Sequence, residues 1–225
     1  MDHRWLNLTF LHWRYPADVV QALVPPGLAV DTFDGSAWVG LVPFEMEVSL
    51  PGRRSVPWVS RFPETNVRTY VRAADGSTGI WFLSLDAERL GAVVVARTTY
   101  RLPYFWSQMA VDRQPMRVGY RSRRRRPGPS GATWEVVVDI GDRCRPDDLD
   151  QLDHWLTARF QLYASHRLGL RTALAEHDPW PLYRADAVHC RDELVMASGL
   201  PAPTGPPLVH WSPGVDVRIG APTVL

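Results

Sequence analysis

The chain contains no lysine: the 25 residues counted as Lys plus Arg are all arginine. Arginine stays protonated near neutral pH and forms no imine. Attachment of pyridoxal phosphate and catalysis through a lysine Schiff base are therefore excluded within this chain. Cysteine is scarce as well. Cys144 and Cys190 make no disulfide framework and read as reduced thiols in a cytoplasmic protein, with a single bridge as the alternative. No run approaches the roughly twenty apolar residues of a membrane span. The first residues carry Asp2, His3, Arg4 and Asn7, unlike the basic start and unbroken apolar stretch of a signal peptide. Neither sign of charge dominates, with a net +1, so no global field favours nucleic acid or an anionic membrane. The sequence also lacks Gly-x-Gly-x-x-Gly, a P-loop, Gly-x-Ser-x-Gly, His-x-His and His-Glu-x-x-His. Neither a metal nor a cofactor is expected, since any metal site would have to be assembled from distant segments.

What the chain has in quantity is tryptophan and proline, ten and twenty of its 225 residues. Rigid rings suit a large core and also suit the lining of a cavity. Period-two alternation recurs along the sequence. Leu6, Leu8, Phe10 and His12 are expected on one strand face, and Phe44, Met46, Val48 and Leu50 on another. Asp34-Gly35 and Asp75-Gly76 mark turns, and 51–63 reads as a loop. Trp134, Val136, Val138 and Ile140 alternate with Glu135 and Asp139 as a further strand. Residues 89–100 read as a buried helix. A second helix is expected from Pro146, with Leu149, Leu152, Leu156, Phe160 and Tyr163 on one stripe. Strands then return near 168–176, 208–211 and 215–219, with 185–198 ambiguous. Runs in hairpin order with few helices predict an α+β fold, mainly antiparallel β, in a single domain over 1–225.

Arg121 and Arg123–Arg126, followed by Pro127-Gly128-Pro129, form a basic run. It offers contacts to phosphates, but the adjoining turn residues and the lack of interleaved aromatics favour a solvated hairpin end. In 66–72, Asn66, Arg68 and Tyr70 share one face opposite Val67, Thr69 and Val71, with Glu64 in line if the strand reaches it. That polar face meets either solvent or a polar cavity. On the next strand Phe82, Ser84 and Asp86 are expected on one face, opposite Trp81, Leu83 and Leu85. Asp86 there suits either an arginine partner such as Arg68 or a strand-end or helix cap. Arg159 lies one position off the helical stripe and reads as a surface charge.

Several segments carry a resemblance. They are Pro25-Pro26-Gly27-Leu28, Ala37-Trp38-Val39-Gly40-Leu41-Val42-Pro43-Phe44, and Phe62-Pro63-Glu64-Thr65-Asn66-Val67-Arg68-Thr69-Tyr70-Val71. Further on come Trp81-Phe82-Leu83-Ser84-Leu85-Asp86, Leu102-Pro103-Tyr104-Phe105 and His210-Trp211-Ser212-Pro213-Gly214-Val215-Asp216-Val217. In this order they resemble the YqjF-like family of uncharacterised bacterial proteins, within the acetoacetate decarboxylase-like superfamily. The resemblance implies a sheet curled into a cone or barrel around an internal pocket, with a few flanking helices.

The decarboxylases take their imine-forming lysine and its activating neighbour from a Gly-aromatic-Pro-Lys-Lys stretch. On the matching segment Tyr104 and Phe105 stand in place of that pair, so the lysine route to decarboxylation is closed here. The glutamate of Phe62-Pro63-Glu64-Thr65-Asn66 looks like the decarboxylases' pocket carboxylate. These residues imply an enzyme of lyase, hydratase or isomerase type acting on an oxo acid or related hydrophobic metabolite. Glu64 would be its acid or base, Arg68 would bind a carboxylate or enolate oxygen, and Tyr104 would donate a hydrogen bond. Asn66, Tyr70, Phe82, Ser84, Asp86 and Phe105 would complete the substrate site. The same residues serve equally in an aromatic-lined module that binds a small ligand without chemistry, and the aromatics alone would serve a structural protein. The partner expected is a small molecule, with neither nucleic acid nor membrane. Decarboxylase-like proteins often assemble, which makes a homo-oligomer compatible with the resemblance.

Overall fold

The computed structural model describes residues 2–49, 61–95, 97, 102–127, 131–166 and 169–225. Among these residues thirteen strands form one sheet: β1 (Asp2–Tyr15), β2 (Leu28–Val30), β3 (Ala37–Ser49), β4 (Arg61–Ala73), β5 (Thr78–Ala87), β6 (Tyr104–Gln114), β7 (Arg117–Arg126), β8 (Thr133–Arg143), β9 (Gln161–His166), β10 (Gly169–His177), β11 (Tyr183–Asp192), β12 (Leu208–Ile219) and β13 (Thr223–Val224). Short helices flank it: α1 (Ala17–Gln21), α2 (Leu90–Val95), a 3₁₀ turn (Pro146–Asp148), α3 (Gln151–Thr157) and α4 (Leu194–Ala197). Most pairings are antiparallel; β5 pairs in parallel with both β6 and β9.

The pairings close on themselves twice. One circuit runs β1-β3-β4-β5-β9-β10-β12 and back to β1. The other leaves β5 through β6, β7, β8 and β11 to β12, and returns along β1, β3 and β4. Strands β1, β3, β4, β5 and β12 belong to both circuits, so their two faces meet two different interiors. One interior holds Leu11, Trp13, Val39, Leu41, Val67, Tyr120, Trp134 and Val136. The other holds Leu8, Phe10, Val42, Phe44, Phe82, Leu85, Tyr104 and Leu156. Residues 37–46 of β3 and 64–71 of β4 are accordingly buried without a break. Burial on both faces answers the open question about β4: its polar face lies against an interior, not solvent.

Two irregularities aim side chains. Asn7 has a positive φ of 47°, and the β1–β3 register shifts between Leu6 and Leu11. Trp5, not the expected Leu6, therefore joins Leu8 and Phe10 in the interior of the first circuit. The β4–β5 register shifts between Val67 and Arg68, with Val67 opposite Ser84 and Arg68 opposite Phe82. The extra residue is Leu83, and its effect on the site follows below. The Asp34-Gly35 turn forms as expected, with φ of 50° and 72° and Phe33 paired to Ser36.

The helices differ most from expectation. The 149–163 helix is confined to α3, which starts at the Asp150–Asp153 capping box and leaves helical geometry at Ala158. Tyr163 sits on β9, opposite Thr172 of β10 and Trp81 of β5, and Phe160 is exposed. A helix this short is marginal on its own, and the ladder pairs all of 161–166 with β10, and Leu162 and Tyr163 with β5 as well. In α2, Val93 is buried but Leu90 and Val94 are exposed, so the segment is half-exposed where a buried helix was expected. Residues 96 and 98–100 of that expectation, and 51–60 of the loop, lie outside the described residues. Arg61–Pro63, expected as loop, begin β4. The ambiguous 185–198 divides into β11 and α4, and 208–219 is one strand where two were expected. No helix among the described residues is long and apolar enough to cross a membrane.

Candidate functional site

Strand β4 sets out Glu64, Asn66, Arg68 and Tyr70 at period two on the face towards the first circuit. Their relative exposures are 3, 7, 6 and 0%. Across from them on β3 stand Phe44, Val42, Gly40 and, beside Tyr70, Trp38. The smallness of Gly40 matters: a Cβ there would lie 3.0 Å from the His12 imidazole.

At one end of this row, the Tyr104 hydroxyl donates to Glu64 Oε1 at 3.0 Å. Tyr104 opens β6, whose parallel pairing sets it beside Leu85. Burial pushes the Glu64 carboxyl up to about 8; the Tyr104 hydrogen bond opposes the shift and the charge of Asp86 adds to it. Burial, reinforced by Glu64, raises the Tyr104 phenol well above its usual range, which keeps it a neutral donor. The pair can thus hold or release a proton near neutral pH in apolar surroundings that include Phe44, Phe62, Leu85 and Ala87.

At the other end, Arg68 and Asn66 line a small cavity with Trp5, Phe44, Phe82, Arg159, His177 and Trp180. Its space for water centres is about 20 Å³, enough for one or two waters. Glu64 and Tyr104 share the interior but do not line this cavity. Arg68 lies over the rings of Phe10 at 5.3 Å and Tyr70 at 5.9 Å. It forms no ion pair among the described residues, and its Nε has no hydrogen-bond partner. Asn66 Oδ1 is likewise buried and unpartnered. Beneath, the Tyr70 hydroxyl donates to Leu156 O at 2.8 Å and lies 2.7 Å from His12 Nε2. With its one proton so used, Tyr70 accepts from Nε2–H of His12, and His12 Nδ1 has no partner. Burial, and then Arg68, hold the His12 imidazole well below its usual value.

Arg159, read from sequence as a surface charge, is buried. It pairs with Asp31 at 2.9 Å and lies 4.3 Å from the Trp155 ring centre. Its signal was masked because it follows the end of α3, where the expected helical stripe no longer applies.

The expected common face of Phe82, Ser84 and Asp86 does not form. The bulge at Leu83 keeps Phe82 and Leu85 towards the first circuit and turns Ser84 and Asp86 to the second. There Ser84 accepts from Ser198 Oγ at 3.0 Å. Asp86 takes two bonds from Arg124, at 2.6 Å from Nη2 and 3.0 Å from Nε, and one from Ser107 at 2.6 Å. Its arginine partner is therefore Arg124, not Arg68. Phe105 lies on the same side, its ring centre 3.7 Å from the Arg124 guanidinium carbon. The basic run is thus not a wholly solvated hairpin end: Arg124 is among the most buried side chains of the protein. Alternation of Val118, Tyr120, Ser122 and Arg124 on β7 was the available signal.

Compared with solved structures, the fold is of the acetoacetate decarboxylase-like class. The enduracididine biosynthesis enzyme MppR, with HEPES bound, superposes with a TM-score of 0.68 at 13% identity, covering 100% of this chain and 87% of that one. Acetoacetate decarboxylase from Legionella pneumophila gives a TM-score of 0.63 at 13% identity, over 100% and 88%. In sequence, the model of the DUF2071 family, described as an uncharacterized conserved protein, matches residues 2–216. The uncharacterized protein YqjF of Bacillus subtilis is 35% identical over 219 residues, 96% of this chain and 89% of the relative. The chain belongs to the DUF2071 family.

Proposed function

We propose that the protein is an enzyme that moves protons on an oxo acid or related hydrophobic metabolite, without a Schiff base. The observation that carries this is the Glu64–Tyr104 contact of 3.0 Å, between buried groups whose carboxyl member is pushed up to about 8. A carboxyl of that acidity is part protonated at neutral pH and serves as either acid or base. In the carboxylate form Glu64 takes a proton from the carbon beside a ketone. The C–H electron pair moves into the new C=C bond and the carbonyl pair onto oxygen, giving an enolate. Tyr104, released from the now protonated carboxyl, donates to that oxygen. Reprotonation at carbon or loss of a neighbouring hydroxyl would then give isomerase- or dehydratase-type outcomes. Arg68 binds the acid's carboxylate or the enolate oxygen, with Asn66, Tyr70 and Phe82 around it.

Solved relatives in fold favour a metabolite of this kind: MppR has been captured with pyruvate and with a condensation product of pyruvate. A cytoplasmic location goes with this reading.

The test is hydrogen exchange. Straight-chain oxo acids incubated with the protein in D₂O should lose the proton signals beside the ketone, followed by NMR. In Glu64→Gln the rate should fall by about 100-fold or more. Equal rates in the variant would remove Glu64 as the proton carrier. The alternative, a binding module without chemistry, is favoured by the Arg68 cavity being separate from the Glu64–Tyr104 pair. It predicts ligand binding with no exchange in the native protein.

A further inference from the structure

We infer that the Arg68 cavity seats a single carboxylate group carried on an apolar body, so that the ligand is a hydrophobic monocarboxylate and not a dicarboxylate or a phosphate ester. This rests on the proposed function for its link to chemistry, but its support is independent of Glu64. Four observations converge. Arg68 is 6% exposed, lines the cavity, and forms no ion pair among the described residues. A buried guanidinium without a counter-charge is costly, and an anionic ligand is what offsets it. Its Nε has no hydrogen-bond partner among the described residues, so a donor is left for a carboxylate oxygen. The neighbouring Asn66 Oδ1, also unpartnered, is an acceptor and suits an N–H or O–H elsewhere on the ligand or a water, not the carboxylate.

The charge balance around the cavity then limits the ligand to one negative charge. None of the cavity-lining residues is an aspartate or glutamate. The second arginine in the lining, Arg159, has its counter-charge in Asp31 at 2.9 Å; Arg72, which shares Asp31 at 2.8 Å, is half exposed and keeps its charge in solvent. His177 is kept neutral chiefly by burial, with Arg68 adding to the shift. With the charge of Arg72 in solvent, one uncompensated cation among the described residues therefore faces the cavity. A second carboxylate, or a doubly charged phosphate, would be buried without a partner.

The rest of the lining says what the body of the ligand is. Trp5, Phe44, Phe82 and Trp180 are rings, and Leu8, Val42, Ile80 and Leu162 are aliphatic. Trp180 stacks at 6.2 Å on Trp5 and is only partly buried, as is His177 beside it. With Trp5 and Leu162 they are the partly buried members of the lining, and displacement of Trp180 and His177 would admit a body larger than the present space.

Calorimetry with hexanoate, its neutral isostere hexanamide, adipate and hexyl phosphate tests this without any turnover. Hexanoate should bind at least about tenfold more tightly than each of the other three. Arg68→Gln should lose about tenfold or more of that affinity, and Arg68→Lys should restore part of it. Equal binding of hexanoate and hexanamide by the native protein would overturn the inference. So would tighter binding of adipate or of hexyl phosphate, or an unchanged hexanoate affinity in a folded Arg68→Gln. Should that variant not fold, the ranking of the four ligands on the native protein decides by itself. Failure here with proton exchange intact would leave the proposed function standing; loss of exchange with this ranking intact would do the reverse.

Discussion

Both interiors bury arginine, and Arg124 and Arg68 are treated in opposite ways. Arg124 in the second circuit is held by Asp86 at 2.6 and 3.0 Å. Asp86 is held in turn by Ser107, and Phe105 covers the guanidinium. Arg68 in the first circuit has aromatic neighbours and, among the described residues, no carboxylate partner. The first arrangement is closed: both charges are matched, and neither is left to act on a ligand. The second is open: Arg68 and Asn66 line a cavity, and the Arg68 Nε and the Asn66 amide oxygen have no partner among the described residues. A buried cation therefore points to function by what it lacks, since proteins otherwise satisfy the groups they bury.

The largest expected effect breaks the closed side. Asp86→Ala leaves Arg124 buried and uncompensated and should cost about 3–5 kcal/mol, read from chemical denaturation. A loss below about 1 kcal/mol would show that water reaches the pair. Next comes Glu64→Gln in deuterium exchange, with a loss of about 100-fold, equivalent to about 2.7 kcal/mol in barrier. Third, Arg68→Met should leave the melting temperature unchanged or raise it, because it removes an unmatched charge and fills the space with an apolar chain. Pronounced destabilisation would mean that Arg68 is as structural as Arg124.

A further effect is in the pH dependence of stability. The Glu64 carboxyl is raised from 4.5 to about 8 in the folded protein, so the native state holds this proton more tightly than the unfolded one. The contribution is complete below about pH 4.5 and is lost as pH rises through about 8. Glu64→Gln should flatten the fall in melting temperature over that window, and an unaltered curve would mean that the carboxyl is not held in the apolar setting described.

Much of this was legible beforehand. Alternation identified β3, β4 and β8, Asp34-Gly35 marked its turn, and the row Asn66, Arg68, Tyr70 followed from period two, with Glu64 joining it only if the strand reached that far, as it does. The lysine-free composition closed the imine route without any coordinates. The helix over 149–163 misled because leucines at helical spacing also suit a short helix followed by a strand, and only the partners β5 and β10 decide between them. Ser84 and Asp86 were assigned to the wrong interior because a one-residue bulge inverts every later side chain, and nothing in Leu83 announces it.

By itself, the sequence determined which groups exist and in what local order: no amine for imine chemistry, and an acid, an amide, a guanidinium and a phenol at alternate positions on one strand. Those follow from covalent order and the two-residue repeat of extended backbone. The tertiary structure decided that this row is enclosed, that Tyr104 meets Glu64, and that Asp86 matches Arg124 and leaves Arg68 without a counter-ion among the described residues. Each of these depends on which distant strands pair and in what register, and that is settled by burying both faces of a shared sheet at once.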